Sequence, residues 1–168
     1  MGIRIYGKCP YLSKEELRFA FHWMLREIMG PARARRVQVS FSWKDPRTPE
    51  DGKEIATTMT YMGRKPRKFW VIINPTLRRG LQLDVLAHEL IHVDQFSRED
   101  MLDFEEGGQQ IRYWKGKADP EWDDVGPGYW DKPWEKEAYK KGPIICRAYR
   151  KYLREHQLSF PAACTRRS

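Results

Sequence analysis

The chain has 168 residues, 40% hydrophobic and 13% aromatic with seven Trp, and a formal charge of +8. That is enough apolar material for one compact core, which excludes a disordered polypeptide, and no apolar run has the length of a membrane-spanning helix. Cys9, Cys146 and Cys164 are odd in number and include no CxxC pair, which argues against a disulfide framework and a thiolate metal site; they read as reduced thiols, two of them half-buried at most.

The N-terminal MGIRIYGKCPYLSK lacks the apolar stretch of a secretory signal, and Tyr6 stands where a myristoylation signal has Ser or Thr. The expectation is a cytoplasmic protein, or one in a virion or host cytoplasm if the source is viral. GIRIYG (2–7) reads as a short strand. SKEELRFAFHWMLREIMGP (13–31) reads as a helix in which Ser13 is the N-cap, Glu16 completes a capping box and Gly30-Pro31 is the stop. Leu17, Phe21, Met24 or Leu25, and Ile28 recur at helical spacing and form its apolar face. His22, in the same helix, reads as structural or exposed rather than as a ligand.

RVQVSFSW (36–43) alternates as a strand does. After the turn-rich DPRTPEDGKE (45–54), ATTMTYMG (56–63) and KFWVIINP (68–75) form a predicted hairpin across RKPR, ended by Pro75. From Leu81 the period becomes helical until about Ser97. GGQQIRYWKGKADPEWDDVGPGYW (107–130) reads as irregular, and a connection that long usually carries function. KPWEKEAYKKG (132–142) opens a helix with Pro133 near its first position. PIICRAYRKYLREHQ (143–157) reads as a last helix after a kink or break at Gly142-Pro143. Residues 1–160 form one predicted α+β domain, and 161–168 a frayed tail.

Charge is segregated along the chain. Basic residues number 17 against 10 acidic over 1–97, 4 against 10 over 98–131, and 10 against 3 over 132–168, which is +7, −6 and +7. The clusters RARR (33–36), RKPRK (64–68), RR (78–79) and RR (166–167) suit nucleic acid or an anionic surface. They suit equally the solvated surface that keeps a small protein soluble.

LQLDVLAHELIHVDQ (81–95) places His88, Glu89 and His92 in the pattern H-E-x-x-H. Two His at i and i+4 share a helix face, roughly 6 Å apart along the axis, so both imidazoles can grip one tetrahedral ion while Glu89 reaches a water on it. With four His in the chain, chance yields this pattern roughly once in 200 such sequences. Leu83, Leu86, Leu90 and Val93, with Ala87 and Ile91, supply the surface that buries the helix. A core-histidine reading leaves two imidazoles and a carboxylate buried without partners, which is costly.

A catalytic zinc needs a third protein ligand and one open position. HVDQFSREDM offers no third His at metzincin spacing, and the only other downstream histidine is His156. Glu135 and Glu137 in PWEKEAY (133–139) stand at the start of a helix, after a connection long enough for the chain to return. Residues two apart on a helix diverge by about 200°, so only one of them can face the ion, and spacing alone leaves the choice open. Gln95 lies on the stripe of His88 and His92, and is either a group that orients a ligand or substrate by a hydrogen bond or a plain surface Gln. Tyr129, Tyr139 and Tyr113 are candidate oxyanion donors, Tyr139 because i+4 from Glu135 puts it on the same face.

The combination HELIHVDQ … PWEKEAY resembles compact metallopeptidase-like proteins, many from phages and bacteria, in which HExxHxxQ is followed by a Pro-x-Glu-x-Glu-Ala segment. These look like small zincins of the gluzincin type. The resemblance covers residues from about 70 to 140. It implies a zincin-like metallopeptidase domain with a small mixed or antiparallel sheet, an HExxH helix and a C-terminal helical part, holding one Zn2+ per chain. The gluzincin pattern E-x-x-A falls on Glu135-Lys136-Glu137-Ala138, which makes Glu135 the implied third ligand beside His88 and His92. Members often have Asp directly after that Ala; here Tyr139 stands there. FWVIINP resembles the zincin edge strand that pairs with an extended substrate.

The implied activity is zinc-dependent hydrolysis of a peptide or protein substrate. Zinc lowers the pKa of its water towards about 7, Glu89 takes the proton as general base, and the carbonyl polarised by the metal is attacked. Glu89 then returns the proton to the leaving amine. Two other readings take the same residues differently. One is a SprT-like protease acting on DNA-associated protein, suggested by the basic clusters but lacking the Cys spacing of a zinc ribbon. The other is a catalytically silent zincin-fold module with a structural or interaction role in a phage. The acidic segment 98–131, with Asp119, Glu121, Asp123 and Asp124, is expected either to rim the cleft and favour basic peptides or to pair with the protein's own basic surface.

Overall fold

Alternation in the strands decides which side of the sheet carries the core. The computed structural model describes residues 2–43, 56–60, 66–119 and 128–160. Strands β1 (Gly2–Tyr6), β2 (Gln38–Trp43), β3 (Ala56–Thr60) and β4 (Lys68–Ile73) form a sheet in the order β1-β2-β4-β3. β1, β2 and β4 run parallel, and β3 lies antiparallel to β4. Val39, Phe41 and Trp43 of β2 and Phe69, Val71 and Ile73 of β4 point inward and are buried. The residues between them point to the opposite face.

Two long helices close the inner side. α1 (Lys14–Ala34) buries Leu17, Phe21, Met24 and Leu25. Ser13 caps it, accepting from the Glu16 N–H at 3.1 Å. Glu16 does not complete the box: its carboxylate turns to Arg79 instead. The predicted stop is a break in helical geometry at Gly30 (φ 75°), after which Pro31 starts a further turn to Ala34. α2 (Arg79–Ser97) is the central element, packed against α1, α3 and β3 to β5. From Leu86 to Ser97 every residue but His88 is buried. A helix covered on all sides is a rigid support for whatever side chains it presents.

Residues 107–119 correct the expectation of an irregular stretch over 107–130, of which 120–127 lie outside the described residues. β5 (Met101–Glu106), β6 (Gln109–Trp114) and β7 (Lys117–Asp119) form a separate antiparallel sheet. The turns between them are the Gly107-Gly108 and Lys115-Gly116 pairs, all at positive φ. Two-residue hairpin turns require that conformation, and glycine adopts it without strain.

α3 (Pro133–Glu155) corrects a second expectation, because it runs unbroken through Gly142-Pro143. Gly142 faces α2, where an added Cβ would come within 3.4 Å of the His88 Cα and N, so the two helices are tightly packed at His88. Pro143 and Tyr139, whose carbonyl loses its helical donor, are both exposed. Water can satisfy that carbonyl, so the helix continues. FWVIINP is also not an edge: β4 lies between β2 and β3, and among the described residues β3 is the outer strand on that side. Cys9 and Cys146 are fully buried thiols rather than half-buried ones; Cys164 lies outside the described residues.

Trp134 pins the start of α3. It is 1% exposed and packs on Trp114, with ring centroids 6.2 Å apart, and under the Arg112 guanidinium at 5.4 Å. Trp134→Ala is expected to cost about 3–5 kcal/mol of unfolding free energy. A denaturant midpoint within error of the parent would show that the small sheet does not hold α3.

Candidate metal centre

His88 and His92 leave α2 one turn apart, and Glu135 rises from the first turn of α3 to meet them. The two Nε2 atoms are 3.0 Å apart. Glu135 Oε2 lies 3.2 Å from His88 Nε2, and Oε1 3.2 Å from His92 Nε2. An ion bound tetrahedrally to such donors at about 2.0–2.2 Å sets them roughly 3.3–3.5 Å apart. The observed triangle is therefore the right size for one metal ion. Its chemistry agrees, because Glu135 Oε2 is buried and has no hydrogen-bond partner. A carboxylate oxygen taken out of water in that state calls for a cation. His88, His92 and Glu135 can thus hold a metal ion.

The protonation equilibria carry the same message. Burial pushes the Glu135 carboxyl up, but the adjoining His88 and His92 imidazoles outweigh it and hold Glu135 far below the usual carboxylate range. Burial works against a charged His92, yet Glu135, Glu89 and Gln95 together raise it above its ordinary 6.5. Protons and metal compete for the same nitrogens.

Gln95 orients His92. Its Nε2 donates to the Trp134 carbonyl at 2.9 Å and to Glu137 Oε2 at 3.0 Å. Its Oε1 is therefore the acceptor for His92 Nδ1–H at 2.8 Å, which leaves the Nε2 lone pair aimed at Glu135 and His88. Glu137, the rival ligand, is engaged elsewhere, paired with Arg98 at 2.7 Å and with Lys141. Burial raises its pKa, but Lys141, Arg98 and Gln95 together lower it to about 2. Gln95→Ala is expected to weaken metal binding about 10–100-fold, the usual effect of losing a group that orients a ligand. Competition against a chromophoric chelator measures this, and unchanged affinity would reduce Gln95 to packing.

Glu89 is buried beside this triangle and faces β3. Thr58 Oγ1 donates to Glu89 Oε2 at 2.5 Å, which holds one carboxylate oxygen; no described residue bonds the other. Thr58 was invisible in the sequence because its direction depends on pairing with Val71 of β4, which turns it inward. Arg112 was also missed, within the stretch read as irregular. It lines the same cleft, about 60 Å³ in volume, with Thr58, Glu89, His92, Tyr129 and Glu135. One water needs roughly 10–15 Å³ on this measure, so an ion and a few waters fit. Arg112 also forms a two-point ion pair with Asp103, at 2.7 and 3.0 Å.

The candidate tyrosines separate. Tyr129 donates its hydroxyl to Glu135 Oε1 at 2.7 Å, so it supports the third carboxylate. Tyr139 packs its ring edge against His88, with centroids 4.7 Å apart. Burial, then Glu135 and Glu89, push its hydroxyl up to about 12, so it remains a proton-bearing donor near the cleft. Tyr113 packs on Phe104 in the small sheet and does not line the cleft. His22 packs against Phe21 and is no part of the triangle. Asp119 pairs with Lys132 at 2.7 Å; Glu121, Asp123 and Asp124 lie outside the described residues. No helix among the described residues is long and apolar enough to cross a membrane. Comparison with family models, curated proteins and solved structures finds no match for this chain.

Proposed function

We propose that the chain is a zinc-dependent peptide hydrolase with a zincin-like domain of the gluzincin type. The supporting observation is the convergence of His88, His92 and Glu135 into a triangle of metal size, with the Glu89 carboxylate in the same small cleft. Two imidazoles and one carboxylate are a donor set that suits zinc in a hydrolytic site, where a fourth position stays open.

The metal would supply Lewis acidity, lowering the pKa of a water and polarising a carbonyl. The remaining work falls to side chains of this chain. Glu89 accepts the proton of the attacking water on the oxygen that Thr58 leaves free, then delivers it to the nitrogen of the departing amine. Gln95 keeps His92 in the tautomer that presents Nε2, and Tyr129 steadies Glu135. Tyr139 is the best placed hydroxyl to donate to a developing oxyanion, since it borders His88 and keeps its proton at neutral pH. The substrate would lie extended against β3, the outer strand on that side among the described residues.

The test is reconstitution. Purified protein should contain one zinc per chain, cleave members of a mixed peptide library, lose cleavage on dialysis against a chelator and recover it with added zinc. A metal-free protein with no affinity for zinc would end this reading.

A further inference from the structure

On the side of the four-stranded sheet that faces away from the candidate metal centre, no described element packs over the strands. Trp70 and Val71 are successive residues of β4 and so point to opposite sides. Val71 is buried and pairs with Thr58, on the side of Glu89, whereas Trp70 is 37% exposed. In the register of the parallel strands Arg4 of β1 lies beside Ser40 of β2, and Ser40 beside Trp70; two residues on, Tyr6 lies beside Ser42. The serines are small, and above them the rings of Tyr6 and Trp70 stack, 6.0 Å apart with planes within 18°. Tyr6 is 45% exposed. Lys68 and Gln38 end the same face, both exposed. β1, β2 and β4 contain no acidic residue.

A stack that only shielded the sheet would need no cations beside it and would tolerate carboxylates. Here flat apolar rings, the Arg4 guanidinium and short hydroxyl and amide side chains share one face, in a chain of net charge +8. Those are the groups that bind a flexible polyanion with aromatic bases. Every base has a π-face that can stack on Trp or Tyr, and backbone phosphates then meet Arg or Lys. Bases paired within a duplex do not offer those faces. We propose that this face binds single-stranded nucleic acid, with bases stacking on Trp70 and Tyr6 and phosphates meeting Arg4. The site is separate from the metal centre and does not depend on its chemistry.

Fluorescence anisotropy tests this with labelled single strands of about 12 nucleotides, oligo-dT and oligo-U, and a duplex of the same length. Titrations run at about 50 and 200 mM salt, since phosphate contacts weaken with salt. Single strands should bind more tightly than duplex. Tyr6→Ala with Trp70→Ala should weaken that binding at least about tenfold while the variant stays folded by circular dichroism at the assay temperature, as loss of base stacking does. Lys140→Glu with Arg147→Glu, on the exposed basic side of α3, should leave single-strand affinity at about 200 mM salt within about twofold of the parent. Absence of single-strand binding at low salt, equal affinity for duplex, or loss confined to the α3 variant would each overturn the proposal. So would a dimer in sedimentation that Trp70→Ala dissociates, since the rings would then serve self-association. If the double Ala variant does not fold, ultraviolet crosslinking of the unaltered protein decides: adducts on β1 or β4 support the proposal, and adducts on α3 overturn it.

Discussion

Glu89→Gln is expected to leave the protein folded and loaded with zinc while slowing peptide hydrolysis by about 10²–10⁴-fold. Gln keeps the length and helix propensity of Glu, and the Thr58 hydroxyl can still donate to its amide oxygen in place of Glu89 Oε2. What is lost is the basic oxygen that takes a proton from water. Metal content should be unchanged, because the three ligand atoms belong to His88, His92 and Glu135. Paired measurements of zinc per chain and of cleavage separate this from a ligand defect, which would lower both. Cleavage at the parental rate would remove Glu89 from the mechanism. If neither protein cleaves any member of a broad library, while both bind zinc, the chain is a metal-holding module without catalysis, the silent alternative its sequence also allows.

Glu135→Ala should cost more metal affinity than any substitution outside the two histidines. Removing a ligand leaves two imidazoles, which rarely retain a catalytic zinc. The loss should exceed the roughly 100-fold upper end seen for supporting groups. Glu137→Ala should stay within that range, because Glu137 acts through Gln95 and is held by Arg98 and Lys141. His88→Ala combined with His92→Ala should abolish stoichiometric binding. Competition titration of the parent and these variants ranks them directly. Glu137→Ala weakening zinc more than Glu135→Ala would transfer the third ligand to Glu137 and leave the rest standing. Full zinc occupancy in the double histidine variant would dispose of the site.

The elements differed in how openly the sequence declared them, for physical reasons. α2 was legible because Leu81 to Ser97 contains no Gly or Pro and carries apolar residues at every helical step. His88 and His92 share a face by helix geometry alone, and that needs no knowledge of the fold. Glu135 rested on a pattern match, since nothing local distinguishes it from Glu137; packing of α3 on α2 at Gly142 turns one towards His88 and the other towards Arg98. Thr58 depended on strand register, which is a long-range property. β6 and β7 were hidden by their own turns: Gly107-Gly108 and Lys115-Gly116 read as loop composition, although two-residue Gly-containing pairs are also hairpin signals. Pro143 read as a breaker because exposure of the carbonyl it strands could not be known in advance.

The route of the chain between its ligands bears on folding. His92 and Glu135 are 43 positions apart in the numbering, and the whole β5–β6–β7 sheet hangs between them. A metal gripped from both ends closes that span into a ring. Such a ring is to the unfolded polymer what a covalent cross-link is: it removes random-coil configurations, by about 4 kcal/mol for a loop of this size in the simplest chain-statistics estimate. The small sheet has little core of its own and gains most from that constraint. The ion would then be an architectural clasp as well as a reagent, and the acidic, hairpin-built segment a tethered lobe whose order is tied to metal supply.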